Sequence, residues 1–164
     1  METKKKIKVL FVCLGNICRS PLAEAIFNHK IQQDGIHVHF EADSCGTGNY
    51  HIGSPPDPRT LANARKNGIP INHICRQLTA ADLEYYDYVL AMDRSNLNNI
   101  RRLPGAEKYA DKIALLRDFD PAAKGLEVPD PYFGGDDGFQ EVYEILDRSM
   151  QHFIEFVQGR HSVS

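Results

Sequence analysis

No stretch of this 164-residue chain is long and apolar enough to cross a bilayer. A membrane partner is therefore not expected. Charge of one sign does not dominate either: 19 lysines and arginines face 22 aspartates and glutamates, for a net charge of −3. That balance makes no general case for nucleic-acid binding. The single basic run, Lys4-Lys5-Lys6 with Lys8, reads as part of a solvated, flexible arm over residues 1–6. Behind it, Val9 to Leu14 is too short an apolar run for a secretory signal, and no small-residue cleavage site follows. Cysteine is sparse. Four in a chain of this size do not make a secreted disulfide framework, so a reduced, cytoplasmic setting is expected. Nor do they space as zinc ligands: Cys13-x4-Cys18 is wider than the usual pair, and His73-x-Cys75 is no standard second half. No metal or cofactor is expected. Repeats, low-complexity tracts and linkers are missing too, which leaves one domain over residues 1–164.

What the chain does have is a loop. Lys8-Val9-Leu10-Phe11-Val12 is strand-like, with β-branched and aromatic residues. Cys13-Leu14-Gly15-Asn16-Ile17-Cys18-Arg19-Ser20 follows it, and Ser20-Pro21 reads as a helix cap with proline at the first helical position. Gly15 suits a tight loop, and Asn16 tolerates left-handed dihedrals. A cysteine thus stands at a strand-to-helix turn, with an arginine six residues on. Such a loop can hold a phosphate: amides converge, a helix N-terminus adds positive potential, and the guanidinium grips two oxygens. The same field stabilises a thiolate, so the anion-binding loop can carry its own nucleophile. Leu14, Gly15, Asn16, Ile17, Cys18 and Ser20 are the candidate phosphate-binding residues, around Cys13 and Arg19.

The remaining elements alternate. His37 to Asp43 is a weak second strand leading to Ser44. Asp57-Pro58 opens a helix that Gly68 ends. Thr79 to Asp82 is a variant capping box before a short helix. Tyr86 to Met92 is a third strand, Asp93 caps the next helix, and Ile113 to Leu116 is a short fourth strand. A last helix starts near Gly138, with Phe139, Val142, Tyr143, Leu146, Met150, Phe153 and Val157 as its apolar stripe. The alternation predicts an α/β fold in three layers, a four-stranded parallel sheet with helices on both faces. In such sheets sites lie beyond the carboxyl ends of the strands, where Cys13 falls.

Cys13 to Pro21 resembles the signature loop of the low-molecular-weight protein-tyrosine phosphatases. A second match is Asp130-Pro131-Tyr132-Phe133-Gly134. Lesser matches are Ser44, Pro56-Asp57-Pro58-Arg59, Gly68-Ile69, His73 with Arg76-Gln77, and Met92-Asp93 with Ser95-Asn96-Leu97. They stand in family order and cover nearly the whole chain. The resemblance implies hydrolysis of phosphotyrosine through a phosphocysteine, with Cys13 as nucleophile, Arg19 as phosphate clamp and Asp130 as general acid and then base. Pro129-Asp130-Pro131 is also a natural turn sequence, so the residues alone leave Asp130 open.

The resemblance further implies that Asn16, Ser20, Ser44 and His73 form a hydrogen-bond network behind the loop, with the Ser20 hydroxyl stabilising the thiolate. Tyr50 and Tyr132 match aromatic walls of the cleft, with Phe133 at its rim. Many relatives carry tryptophan where Tyr50 stands, and this chain has none. Cys18 reads two ways, as a redox partner that forms a reversible disulfide with Cys13 or as a small buried filler. The implied partners are phosphotyrosine-containing proteins and phosphate-like oxyanions, and the chain is expected to be a monomer or weak homo-oligomer. Arsenate reductases on this fold need further relay cysteines, and Cys75 has no companion near Arg76 to Asp82. Arginine phosphatases of the family prefer threonine where Ile17 stands. A phosphate-binding module without catalysis would not need both Cys13 and Asp130.

Overall fold

The computed structural model describes residues 5–132 and 134–163. Four parallel strands form one sheet in the order β2-β1-β3-β4: β1 Ile7–Cys13, β2 Phe40–Gly46, β3 Tyr88–Ala91 and β4 Ile113–Leu115. The helices are α1 Arg19–Gln33, α2 Pro58–Lys66, α3 Ala80–Tyr85, α4 Arg94–Arg101 and α5 Asp136–His161. This is the expected three-layer α/β architecture.

Strand period two divides the core into two layers. Ile7, Val9 and Phe11 of β1 and Tyr88 and Leu90 of β3 face one side, where they meet Leu22, Ile26 and Phe27 of α1 and Leu146, Met150 and Phe153 of α5. Leu10, Val12, Val89 and Ala91 face the other, against Leu83 of α3 and Leu97 and Ile100 of α4. Both faces of β1 are therefore covered, which is why Val9 to Cys13 reads as an unbroken apolar run. Phe27 centres an aromatic cluster, its ring 5.7 Å from Phe11, 5.3 Å from Phe40 and 6.2 Å from Phe153. The predicted stripe of α5 packs on that core from Val142 to Val157, with Tyr143 only partly buried, while Phe139 packs apart from it with Ile17, Cys18 and Cys75.

Local rules account for most boundaries. Asp57 caps α2 through the Arg59 amide at 2.8 Å, and Asp93 caps α4 through the Asn96 amide at 2.7 Å. The Thr79 amide donates to the Asp82 carboxylate at 2.8 Å, the reciprocal half of the predicted box. Three expectations are corrected. His37–His39 is a 3₁₀ turn, and β2 runs later, through Ser44 to Gly46. Ser20 is not the cap of α1. The helix begins at Arg19 after Cys18, no side chain caps it, and the Ser20 hydroxyl is turned instead toward the Cys13 sulfur. α5 starts at Asp136, two residues before the expected glycine.

The strand order places the site. The chain leaves β1 for β2 on one side and later returns to β3 on the other, so the carboxyl end of β1 is the switch point of the sheet. Cys13 is its last residue.

Candidate active site

The loop from Cys13 to Arg19 is held from outside. The Cys13 carbonyl accepts from the Thr47 amide and the Leu14 carbonyl from the Gly48 amide, both at 2.9 Å. The Asn16 carbonyl accepts from the Cys75 thiol at 2.8 Å, and the Ile17 carbonyl from the Asp57 amide at 2.9 Å. In a trans peptide the C=O and the following N–H point in opposite directions, and no peptide bond among the described residues is cis. With these four carbonyls drawn outward, the amides of Leu14, Gly15, Ile17 and Cys18 turn inward. They make a concave nest for an anion. Asn16 takes the left-handed conformation that closes it, at φ 59°.

Asn16 also directs the polar network behind the nest. The Arg76 backbone amide, which can only donate, lies 3.0 Å from Asn16 Oδ1. Asn16 Nδ2 must then point the other way, and it donates to Ser20 Oγ at 2.8 Å and Ser44 Oγ at 3.1 Å. His73 Nε2 lies 2.7 Å from the same Oδ1, so that nitrogen carries a proton. Ser20, having accepted from Asn16, has one proton to offer, either to Cys13 Sγ at 3.0 Å or to the Cys45 carbonyl at 3.3 Å. The fully buried Ser44 donates to Glu24 Oε1 at 2.8 Å. His73 Nδ1 faces Glu24 at 3.3 Å and Asp43 at 3.6 Å.

Burial pushes the Glu24 carboxyl up to about 7, assisted by Asp43 and opposed by Ser44 and Arg76. Burial also holds the His73 imidazole below its ordinary value, against the pull of Asp43. Burial thus favours the uncharged form of both groups. Glu24, Asp43 and His73 bring their ligand atoms within 4.8 Å of one another, but Ser44, Arg76 and Asn16 already engage them. The group is a hydrogen-bond network rather than a waiting metal site.

Arg19 is 2 % exposed and aimed by three oxygens. Its Nη1 donates to Asp93 Oδ2 at 2.7 Å and to the Val128 carbonyl at 3.1 Å, and its Nη2 approaches Asp130 Oδ2 at 3.5 Å. Burial opposes its charge, but the Cys13 sulfur and the Asp93 carboxylate outweigh that, and the guanidinium is held above its usual value. Asp93 therefore does two jobs, capping α4 and orienting Arg19.

Above the nest opens a cleft of about 340 Å³. Cys13, Ile17, Cys18 and Arg19 form its floor, and Leu14, Tyr50, His51, Asp130 and Tyr132 its walls and rim. The sequence-predicted residues far from the loop, Tyr50, Asp130 and Tyr132, are thus brought to it. Ser44 and His73 lie behind it, and Phe133 lies outside the described residues. Asp130 is partly exposed, its Oδ1 accepting from the Tyr132 amide at 3.0 Å. Burial raises the Cys18 thiol to about 12, opposed by a hydrogen bond to Thr60 and reinforced by Asp57, Cys13 and Asp130.

Sequence reasoning missed several members. Cys75, read as standing alone, anchors the loop carbonyl at Asn16. Glu24 lies one helical turn beyond Ser20 on α1, the spacing that puts two residues on one face and the only local signal for it. Arg76 is pinned by Asp43 at 2.8 Å and by Asp82 at 3.0 Å, pairs distant or unremarkable in the sequence. His51 sits over the loop, its ring 3.2 Å from where a Gly15 Cβ would stand.

An amide nest with a cysteine at its base, at the switch point of a doubly wound sheet, has the shape and chemistry to hold a phosphoryl group. Comparison with known proteins gives it a family. Residues 8–162 match the family model for low molecular weight phosphotyrosine protein phosphatase. The Schizosaccharomyces pombe low molecular weight phosphotyrosine protein phosphatase is 46% identical over 154 residues, covering 93% of this chain and 98% of that protein. Its human namesake is 44% identical over 148 residues, covering 90% and 93%. Among solved structures, a protein tyrosine phosphatase from Entamoeba histolytica with Hepes in the active site has a TM-score of 0.89 at 38% identity, covering 95% of this chain and 99% of that one. The chain belongs to the low molecular weight phosphotyrosine protein phosphatase family.

Proposed function

We propose that this enzyme hydrolyses phosphotyrosine on protein substrates through a phosphocysteine intermediate. The observation that carries the reading is the convergence of Cys13, Arg19 and Asp130 on one cleft with aromatic walls. The phosphoryl group enters the amide nest, and Arg19 holds two of its oxygens. Cys13 Sγ, eased into its anionic form by the Ser20 hydroxyl at 3.0 Å, attacks phosphorus. As the phosphorus–oxygen bond breaks, protonated Asp130 gives its proton to the tyrosyl oxygen. The resulting carboxylate then takes a proton from water as that water attacks phosphorus; the new phosphorus–oxygen bond forms, the phosphorus–sulfur bond breaks, and inorganic phosphate and the thiolate are released.

Tyr50 and Tyr132 give an aryl ring two surfaces to lie against, and Leu14 adds an apolar rim. A phosphoserine side chain is too short to use these walls while its phosphate sits on the floor. The chain acts as one phosphatase domain over residues 1–164, in the reducing cytoplasm, as a monomer or weak homo-oligomer. All four cysteines being free thiols is in keeping with that setting, and no helix among the described residues is long and apolar enough to cross a membrane.

The test is turnover of matched phosphotyrosine, phosphoserine and phosphoarginine peptides. The expected result is a kcat/KM for phosphotyrosine at least about 10²-fold above the others, the discrimination a site shaped for one leaving group can reach. Equal or higher turnover of phosphoarginine would reject the reading.

A further inference from the structure

We propose that Arg59 is a positioning residue for the general acid, strapping the segment that carries Asp130 to the phosphate-binding loop; this rests on the reading of Asp130 as the acid. Asp130 cannot be aimed by packing. Its side chain is 41% exposed, and residues 128–132 form no helix or strand. Upstream the segment is anchored at Val128, whose amide donates to the Met92 carbonyl at 2.8 Å and whose carbonyl accepts from Arg19 at 3.1 Å. Downstream it is gripped by Arg59. Its Nη2 donates to the Tyr132 carbonyl at 2.8 Å and its Nη1 reaches the Gly134 carbonyl at 3.4 Å. The guanidinium also lies over two rings, 5.4 Å from the Tyr132 centroid and 4.7 Å from that of Phe139.

Arg59 is itself fixed. Its Nε donates to Asp57 Oδ1 at 3.1 Å and its Nη2 to Asp57 Oδ2 at 3.0 Å, the planar fork that only arginine offers. Asp57 is 9% exposed, and burial opposes its charge. The Arg59 side chain and amide outweigh that and hold its carboxyl below the usual range. The Asp57 amide in turn donates to the Ile17 carbonyl at 2.9 Å. One continuous path therefore runs from the phosphate loop at Ile17 through Asp57 and Arg59 to Tyr132. The Tyr132 amide holds Asp130 Oδ1 at 3.0 Å. Among the described residues, no hydrogen bond or ion pair joins Arg59 to Asp130 or to the cleft floor. Arg59 acts by fixing the distance between the anion nest and the acid, and proton transfer to a leaving oxygen is steep in that distance.

The experiment compares Arg59→Met, Arg59→Lys, Asp130→Asn and the Arg59→Met/Asp130→Asn double variant. Each is assayed for kcat/KM on aryl phosphates spanning acidic to poor leaving groups, and for competitive inhibition by inorganic phosphate. Methionine keeps the stem against Phe139 and removes the fork. Arg59→Met should lose about 5- to 30-fold on poor leaving groups and under about 3-fold on acidic ones, a share of the 10²–10⁴-fold that a general acid supplies. Its inhibition constant for phosphate should stay within about 2-fold of wild type, and Arg59→Lys should recover little. The double variant should be no worse than Asp130→Asn alone, since a strap has nothing left to position.

A uniform loss across leaving groups, a weakened phosphate constant, or multiplying losses in the double variant would each overturn the proposal. The two readings separate cleanly. If Asp130→Asn itself loses the same factor on every substrate, the acid assignment falls. If Asp130→Asn steepens the leaving-group dependence and Arg59→Met does not, only the strap falls.

Discussion

At the scale of single residues, the site depends on groups whose shape matters more than their charge. Arg19 makes the point. Its two terminal nitrogens are committed in plane to Asp93, Val128 and Asp130, so the guanidinium is presented to the cleft as a rigid fork. Arg19→Lys keeps the charge but offers one compact ammonium, and it leaves Asp93 and the Val128 carbonyl without their shared partner. We expect Arg19→Lys to lose at least about 10²-fold in kcat/KM, close to Arg19→Ala. Near-normal kcat/KM for the lysine variant would refute the clamp. Cys13, Arg19 and Asp130 were all legible in the sequence, the first two from loop chemistry and the third through family resemblance. Asp93 was legible as a helix cap and as part of a family match, but not as a partner of Arg19. Its second oxygen serves Arg19 across 74 positions of sequence, and no local pattern announces such a pairing. Ser20 was misplaced for a related reason: a hydroxyl before proline reads as a cap, yet here the cysteine sulfur and the Cys45 carbonyl compete for it and win.

At the scale of elements, the nest is built by its neighbours as much as by itself. Gly46, at the end of β2, is the tightest point. A Cβ there would stand 2.7 Å from the Leu14 carbonyl oxygen, 3.0 Å from the Gly15 carbonyl carbon and 3.1 Å from the Asn16 nitrogen. All three are backbone atoms of the loop and cannot swing aside as a side-chain tip would. Gly46→Ala should therefore push the loop off its geometry while leaving the sheet intact. The expected outcome is an inhibition constant for inorganic phosphate raised about 10-fold or more, with far-ultraviolet circular dichroism unchanged. Unaltered phosphate binding would show that the contact relaxes elsewhere. This glycine gave no signal in the sequence, because its requirement comes from a segment 30 residues away. The strands themselves were easier to read. β1, β3 and α5 follow from apolar patterning, whereas β2 is half-polar and its start was read too early. The parallel order followed from βαβ alternation, since a right-handed crossover leaves few other arrangements.

At the scale of the whole molecule, two buried groups shape stability against pH with opposite signs. Glu24 is raised from 4.5 to about 7, so its contribution is fully present below about pH 4.5 and is lost as pH rises through 7. His73 is lowered from 6.5, so its contribution is present above pH 6.5 and is lost as pH falls. Between about pH 4.5 and 6.5 the two oppose each other. Asp57 and Asp120, both held below the usual carboxylate value of 3.8, lose their contribution as pH falls below it. Urea midpoints should thus change little from about pH 5 to 6.5 and drop below about pH 4. In Glu24→Gln only the His73 part remains, so its midpoint should decline between about pH 6.5 and 5. A parallel profile for the two proteins would show that burial does not raise Glu24.

β1 is covered on both faces, and the anion nest hangs directly from its end. The acid segment has less backing. Val128 and Pro131 are buried, but Pro129, Asp130 and Tyr132 are exposed and lie in neither helix nor strand. A segment held in this way is expected to open more readily than the nest. As denaturant rises, turnover of esters that must be handed a proton should fall before phosphate binding does, and before turnover of esters that leave unaided. Loss of function in this molecule would then be graded by substrate before it is total.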